Sequence, residues 1–264
     1  MFEGKVVAIT GAAGGIGSAF AHAFADAGAQ LSLSDLSAPD AIANETGGLS
    51  LVCDAGSEEG IQQFIDHTEA ALGPLDIFIA NAGVGFGDPT VSASADNTAW
   101  ETSWQVNVMQ SVYAARALLP GWVERGSGHF VIVASAAGLL NQIGSASYSA
   151  TKAAAVAIAE NIAITHAKNG IKAHAVCPQF VRTAMTEHMD LPDDSPLSLK
   201  EPEDVANALL DAIRNDRFLA LSHEVVGKYA LNKATDRDRW LAGMANLQDT
   251  MGDSLGLKAF KGDI

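Results

Sequence analysis

Within its first 28 residues the chain passes from a short apolar run into glycines and then into an alanine-rich helical pattern. No other stretch restricts its fold as strongly. Residues 5–10 (KVVAIT) read as a buried strand. Thr10-Gly11-Ala12-Ala13-Gly14-Gly15-Ile16-Gly17 follows directly, and Ile16, Ala19, Phe20, Ala23, Phe24 and Ala27 then recur at helical spacing up to a terminal Gly28. Gly11, Gly15 and Gly17 let the backbone turn tightly and approach a pyrophosphate; Ala13 and Ile16 belong to the same loop. The helix that opens there meets negative charge with free N–H groups and the positive end of its dipole. Strand, glycine loop and helix together read as a nucleotide-binding unit.

The remaining chain keeps alternating. Residues 30–34, 49–53, 76–80, 129–134, 171–176 and 218–221 read as further strands. Helical patterns fill residues 38–45, 58–72, 98–124, 148–169 and 203–215. Such alternation predicts one α/β domain over residues 1–264, a doubly wound, mainly parallel sheet of about seven strands with helices on both faces. Residues 190–196 (DLPDDSP) read as a mobile insertion within a substrate loop at 180–200. From residue 222 the chain turns polar and reads as a C-terminal helical tail to residue 264, with the clearest pattern at 233–248.

Composition narrows the partners. Sixteen basic residues face thirty-one acidic ones, a formal charge of -15 that argues against nucleic-acid backbones and anionic membranes. The N-terminus lacks a basic and then apolar leader pattern, and no run of 18 apolar residues occurs, so neither a signal peptide nor a membrane span is expected. Cys53 and Cys177 lie in apolar, strand-like runs and read as buried free thiols of a cytoplasmic protein. The seven histidines show no metal spacing, so no metal site is expected, and no Walker-type GK[ST] occurs. Trp100 and Trp104 share a helix face and read as core or dimer packing.

Chemistry enters with Tyr148-Ser149-Ala150-Thr151-Lys152. A phenol and an ammonium four residues apart share one helix face, about one turn apart. A nearby cation favours the phenolate, so Tyr148 is expected to titrate below its usual value of about 10 and to serve as a general base. Asp35, which ends the second strand, can accept hydrogen bonds from a ribose 2′-OH and would repel a 2′-phosphate. No Lys or Arg follows Asp35 at Leu36 or occupies Ala12-Ala13, which favours NAD over NADP. Asp54, followed by Ala55, ends the third strand, where it can face an adenine or simply form a turn. Asn81-Ala82-Gly83 closes the fourth strand at the carboxyl edge, where open α/β sheets bind ligands.

Gly11-x-x-x-Gly15-x-Gly17, Asn81-Ala82-Gly83, Asn107, Ser135, Tyr148 and Lys152 stand in the order and spacing of the short-chain dehydrogenase/reductase family, with Ser135 thirteen residues before Tyr148. The chain resembles that family over roughly residues 3–220. The resemblance implies a Rossmann fold and an NAD-dependent oxidoreductase acting on the CH–OH group. In its terms Tyr148 takes the alcohol proton, Ser135 holds the substrate oxygen, and Lys152 binds the nicotinamide ribose and lowers the Tyr148 pKa. Asn107 positions a relay water, and Pro178 and Thr183 flank the nicotinamide.

Two departures stand out. Gln179 follows Pro178 where the family usually has glycine, and it can contact substrate or simply be tolerated. The tail reads His223-Glu224-Val225-Val226 in place of a glycine-rich strand that builds tetramers, so a homodimer through the 98–124 and 148–169 helices is favoured over a homotetramer. The family's pocket positions offer Val84, Phe86, Leu139, Leu140, Gln142, Ile143, Phe180, Met185, His188, Met189 and Leu191, with Gln179 beside them. This lining suggests a hydrophobic secondary alcohol or ketone as the small-molecule substrate. A nucleotide-sensing protein without turnover, or another reaction on the same scaffold, remains open.

Overall fold

The computed structural model describes residues 1–186 and 198–251. In chain order the elements are β1 (Val6–Thr10), α1 (Gly15–Asp26), β2 (Gln30–Asp35), α2 (Asp40–Thr46), β3 (Leu49–Val52), α3 (Glu58–Leu72) and β4 (Ile77–Ala80). There follow α4 (Asn97–Trp104), a π-helical segment (Gln105–Met109), α5 (Gln110–Arg125), β5 (Gly128–Val133), α6 (Ala136–Leu140) and α7 (Ala146–His166). The chain continues with β6 (Ile171–Val176), α8 (Pro202–Arg214), β7 (Leu219–Ala220), α9 (Glu224–Thr235) and α10 (Arg237–Met251). The strands form one sheet in the order β3-β2-β1-β4-β5-β6-β7, parallel throughout.

The strands are apolar because both sheet faces are covered. Alternate residues divide between two cores. Val7, Ile9, Ile77, Ile79, Val131 and Val133 pack with Phe20 and Phe24 of α1 and Leu209 and Ile213 of α8. Val6, Ala8, Phe78, Ala80, Phe130 and Ile132 pack with Ile61 and Phe64 of α3, Leu118 of α5 and Ala155 and Ala159 of α7. Phe78, Phe130 and Trp122 form a chain of rings with centroids 5.7 and 6.1 Å apart. The Trp122 indole Nε1–H donates to the Leu75 carbonyl at 2.8 Å, so its one polar group is satisfied inside the core. Cys53 and Cys177 are buried and free; burial pushes their thiols up to about 11 and about 12.

The sheet order reverses direction at β1, with β2 on one side and β4 on the other. That switch point opens a crevice beyond the carboxyl ends of β1 and β4. Local signals set the helix boundaries. Ser57 Oγ caps α3 by accepting from Gly60 N at 3.2 Å, and Gly73 ends it. A capping box of Glu201 and Asp204, with Pro202 at the first helical position, starts α8.

Several expectations are corrected. The helix expected over 98–124 is interrupted: α4 and α5 are separated by the π-helical Gln105–Met109. Trp104 is 46% exposed, which removes the core and leaves dimer packing of the two roles expected for it. The tail folds as two helices, α9 and α10, with Asp236 between them. A short helix, α6, follows β5 where no element was expected. The proposed mobile insertion at 190–196 lies outside the described residues.

His129 near the start of β5 and His174 within β6 stack with centroids 5.4 Å apart. His174 Nδ1 lies 2.8 Å from the Arg217 carbonyl, which can only accept, so this nitrogen carries the proton. Nε2 of His174 then accepts from His129 Nδ1 at 3.1 Å. The His174 ring is therefore held neutral. Burial first, and for His129 the neighbouring His174 second, pushes His129 down to about 4 and lowers His174 as well. In the unfolded chain a histidine titrates near 6.5, so between about 6.5 and 4 the unfolded state binds more protons and stability falls as pH falls. Urea unfolding midpoints are expected to drop across that window, and His129→Asn is expected to flatten the slope. An unchanged slope in the variant would show that the acid sensitivity lies elsewhere.

Candidate active site

The glycine loop is positioned by contacts only glycine permits. Gly11 has φ +63°, and a Cβ there would lie 2.8 Å from Ala82 Cα. A Cβ on Gly17 would lie 2.2 Å from the Gly11 carbonyl oxygen. Asn81 locks this arrangement: its Nδ2 donates to the carbonyls of Thr10 and Gly11, both at 2.9 Å. Gly83 continues that turn, where a Cβ would lie 3.2 Å from Lys152 Nζ and 3.3 Å from Asn107 Oδ1.

At the start of α1, Gly14 provides no side-chain cap, the first turn holds no carboxylate, and Ala13, Gly14 and Gly15 are exposed beside Ile16. Thr183 lies over this end, its methyl 3.0 Å from where a Gly15 Cβ would sit. Asp35 ends β2 beside the loop, with Oδ2 accepting from Ala13 N at 3.0 Å and Oδ1 from Leu36 N at 2.8 Å. Asp54 Oδ1 accepts from Gly56 N at 2.9 Å, the turn-forming role, and Ala55 is buried next to it. These groups fit a dinucleotide: uncapped helix amides for the pyrophosphate and a strand-end carboxylate for a ribose.

The catalytic candidates converge at the next strand ends. Ser135 follows β5; its Oγ accepts from Ala137 N at 3.1 Å and so caps α6. Pro178 follows β6 and accepts from Ala136 N at 2.8 Å, which ties the two strand ends together. Tyr148 and Lys152 lie one turn apart on α7, with Lys152 Nζ 5.6 Å from the phenol ring centroid. The ammonium is buried and donates to the Val133 carbonyl at 2.9 Å. Burial brings Lys152 down to about 8. Burial likewise raises Tyr148, with a hydrogen bond from the Ser135 side chain pulling the other way. The expected lowering of Tyr148 by Lys152 is thus corrected: desolvation of the phenolate is the largest influence, and it raises the phenol.

Asn107 lies in the π-helical segment and its amide is spent on protein partners. Oδ1 accepts from Val84 N at 2.9 Å, while Nδ2 donates to Val84 O at 2.9 Å and Thr151 Oγ1 at 3.0 Å. The side chain clamps the β4 loop to α7.

A family model described as short chain dehydrogenase matches residues 5–193. The chain belongs to the short-chain dehydrogenase family. It is 33% identical over 226 residues to epidermal retinol dehydrogenase 2 of Mus musculus, a match covering 81% of this chain and 72% of the relative. It is 32% identical over 256 residues to oxidoreductase UcpA of Salmonella typhimurium, covering 93% of each. Among solved structures, a short chain dehydrogenase/reductase from Burkholderia phymatum in complex with NAD superposes with TM-score 0.77 at 26% identity, covering 90% of this chain and 95% of that one.

In this short-chain dehydrogenase a cavity of about 570 Å³ opens beside Ser135. Its floor comes from Leu140, Gln142 and Ile143 after β5 and from Gln179 and Phe180 after β6. Its far wall is the tail: Tyr229 and Asn232 of α9, and Arg239, Trp240, Met244 and Leu247 of α10. Sequence reading missed this wall; the aromatic pair Tyr229 and Trp240, with centroids 6.0 Å apart, was the available signal. Val84, Phe86 and Met185 do not line the cavity. Met185 is near Tyr148 instead, since a Cβ on Gly85 would meet both, at 3.4 Å from Tyr148 Cδ2 and 3.9 Å from Met185 Sδ. His188, Met189 and Leu191 lie outside the described residues.

Asp88 was also missed. It is buried and accepts from Ala146 N at 2.9 Å, pinning the β4 loop to the start of α7. Among the described residues no group of three or more His, Cys, Asp or Glu could hold a metal ion, and no helix is long and apolar enough to cross a membrane.

Asn107→Ala removes three hydrogen bonds and leaves the part-buried N–H and C=O of Val84 without this partner. The variant is expected to lose about 1–3 kcal/mol in chemical denaturation. A loss of less than a few tenths would mean that the clamp is not a stability element.

Proposed function

We propose that this protein is an NAD-dependent dehydrogenase that interconverts a hydrophobic secondary alcohol and its ketone. The observation that carries the reading is the convergence of Ser135, Tyr148 and Lys152 at the carboxyl edge of the sheet, with Ser135 on the cavity wall and the Lys152 ammonium against both the Tyr148 ring and the Gly83 turn. When bound, the nicotinamide supplies the hydride acceptor or donor. Ser135 holds the substrate oxygen by a hydrogen bond. Tyr148 takes the hydroxyl proton during oxidation and returns it during reduction. Lys152, cationic and one turn away, favours the phenolate and presents a donor to the ribose. Asn107 acts here as a positioning residue through Val84 and Thr151.

Asp35 supports NAD over NADP, because a 2′-phosphate would meet a carboxylate already seated beside the loop. Leu140, Ile143, Phe180, Tyr229, Trp240 and Met244 support an apolar substrate. A homodimer is the favoured assembly. Val112, Leu119, Val123, Ile158 and Ile162 line an apolar groove between α5 and α7, and Ile164 is 78% exposed nearby. The two neutral, buried thiols suit a reducing compartment such as the cytoplasm.

NADH formation with purified protein tests the reading, with NAD and NADP compared over aliphatic, aromatic and steroidal secondary alcohols. Turnover with NAD and an apolar alcohol is the expected result; NAD binding without turnover across the panel would favour a sensor. Tyr148→Phe is expected to lower kcat by at least about 10²-fold with little change in NAD affinity. Oxidation is expected to accelerate with pH, because burial keeps the phenol protonated near neutrality, and to level off above about 8, where Lys152 loses its charge. A flat profile from pH 6 to 9 would remove Tyr148 from the base role.

A further inference from the structure

Asp88 is 3% exposed, and the proposed reaction makes no use of its carboxyl group. It stands at the end of segment 83–88, which follows β4 and runs past both Lys152 and Tyr148. A Cβ on Gly83 would lie 3.2 Å from Lys152 Nζ, and one on Gly85 would lie 3.4 and 3.7 Å from Cδ2 and Cε2 of the Tyr148 ring. The segment is fastened to α7 both ahead of Tyr148 and beyond it. Beyond it, Asn107 holds both backbone groups of Val84 and donates to Thr151 Oγ1. Ahead of it, Asp88 N donates to Gly144 O at 2.8 Å, Ser145 Oγ to Phe86 O at 2.6 Å, and Ala146 N to Asp88 Oδ2 at 2.9 Å. Asp88 Oδ1 also accepts from Ala95 N at 3.4 Å. The first turn of α7 contains no acidic residue, and Ser145 gives it no side-chain cap. Asp88, 58 residues upstream of Ala146, supplies the missing acceptor just before Tyr148.

We infer that Asp88 is a positioning residue: by anchoring segment 83–88 to the start of α7, it fixes the Tyr148 ring for the chemical step. This rests on the dehydrogenase reading and deepens it. The ring carries one polar atom and is otherwise held by packing, so the segment lying against it sets its place. Proton transfer needs the phenol oxygen to stay within hydrogen-bond reach of the substrate hydroxyl, and a displacement of about 1 Å can cost about 10²-fold in rate. The glycine loop and Asp35, the groups that fit a dinucleotide, lie on β1, α1 and β2 and make no bond to Asp88. Loss of the anchor therefore acts on kcat and leaves nucleotide affinity in place.

Three variants test this. Asp88→Ala removes the anchor. Asp88→Asn keeps an oxygen for Ala146 N but cannot carry a charge. Ser145→Ala removes the bond to Phe86 and leaves the carboxyl group in place. Ring placement is read without turnover by fluorine NMR of protein labelled with 3-fluorotyrosine, the Tyr148 resonance being identified by its loss in Tyr148→Phe. Asp88→Ala and Ser145→Ala are expected to shift or broaden that resonance, and Asp88→Asn to leave it near its wild-type position. In NAD-dependent oxidation of 1-phenylethanol, Asp88→Ala is expected to lower kcat by about 10²-fold with KM for NAD little changed, and Asp88→Asn to restore most of the rate. An unmoved resonance or an unchanged kcat in Asp88→Ala overturns the inference. So does an Asp88→Asn protein that behaves like Asp88→Ala, which would make charge and not anchoring the cause. If Asp88→Ala does not fold, Ser145→Ala decides by the same two readouts. If the wild type turns over no alcohol of the panel above, the resonance alone decides, and that failure belongs to the dehydrogenase reading.

Discussion

The hydroxyl of Thr10 ties together the parts of the protein that must meet. It accepts from the backbone N–H groups of Asn81 and Ala82 at 3.0 and 3.1 Å and donates to Gln110 Oε1 at 3.0 Å. One donor and two acceptor sites are all that a hydroxyl has, and all are used. Gln110 in turn donates to the carbonyls of Ala82 and Val106. The ends of β1 and β4 are thereby fixed to each other at the sheet's switch point, and the π-helical segment is fixed to both. In the low-dielectric interior such a fully satisfied network is rigid, because any slip leaves a buried polar group unpaired. The glycine loop, the Asn81 turn and Asn107 inherit their positions from it.

The charges at the site follow from the same burial. Lys152 is an ammonium enclosed by protein and held by the Val133 carbonyl, and burial has drawn it down to about 8. Tyr148 is raised by the same desolvation. Each is disfavoured in its charged form by burial, and the ammonium one turn away is the cation nearest at hand for a phenolate at Tyr148.

Much of this was legible in the sequence because it depends on local pattern. The short apolar strands, the glycines before α1, Ser135 and the Tyr148–Lys152 spacing each reflect one element and its immediate neighbours. The strand ends then coincide at the carboxyl edge through parallel topology alone. What was not legible depended on long-range packing. The π-helical turn at Gln105–Met109 has no composition signal; it exists because Asn107 and Gln110 satisfy partners 23 to 44 and 28 to 100 residues away. The direction of the Tyr148 shift was misread because spacing on a helix reveals the cation but not the amount of protein around the phenol.

The tail lies apart from the proposed catalytic groups. Those groups sit on α7 and on the turn after β5, beside the two cores that carry most of the buried apolar surface. The cavity's outer wall sits on α9 and α10, which are held by a much smaller cluster of Ala136, Leu140 and Val226 with Tyr229 and Trp240 against it. Lys233 adds one bond to the Leu139 carbonyl at 2.6 Å, and Asp236 starts α10 by accepting from Arg239 N at 3.0 Å. The polar outer faces of these helices contribute little to folding. Substitutions in the tail can therefore reshape the pocket at small cost to the sheet, whereas substitutions at Thr10, Asn81 or Gln110 disturb everything built on them. On the proposed function, selectivity lies where the fold is least committed, and hydride transfer lies where it is most committed.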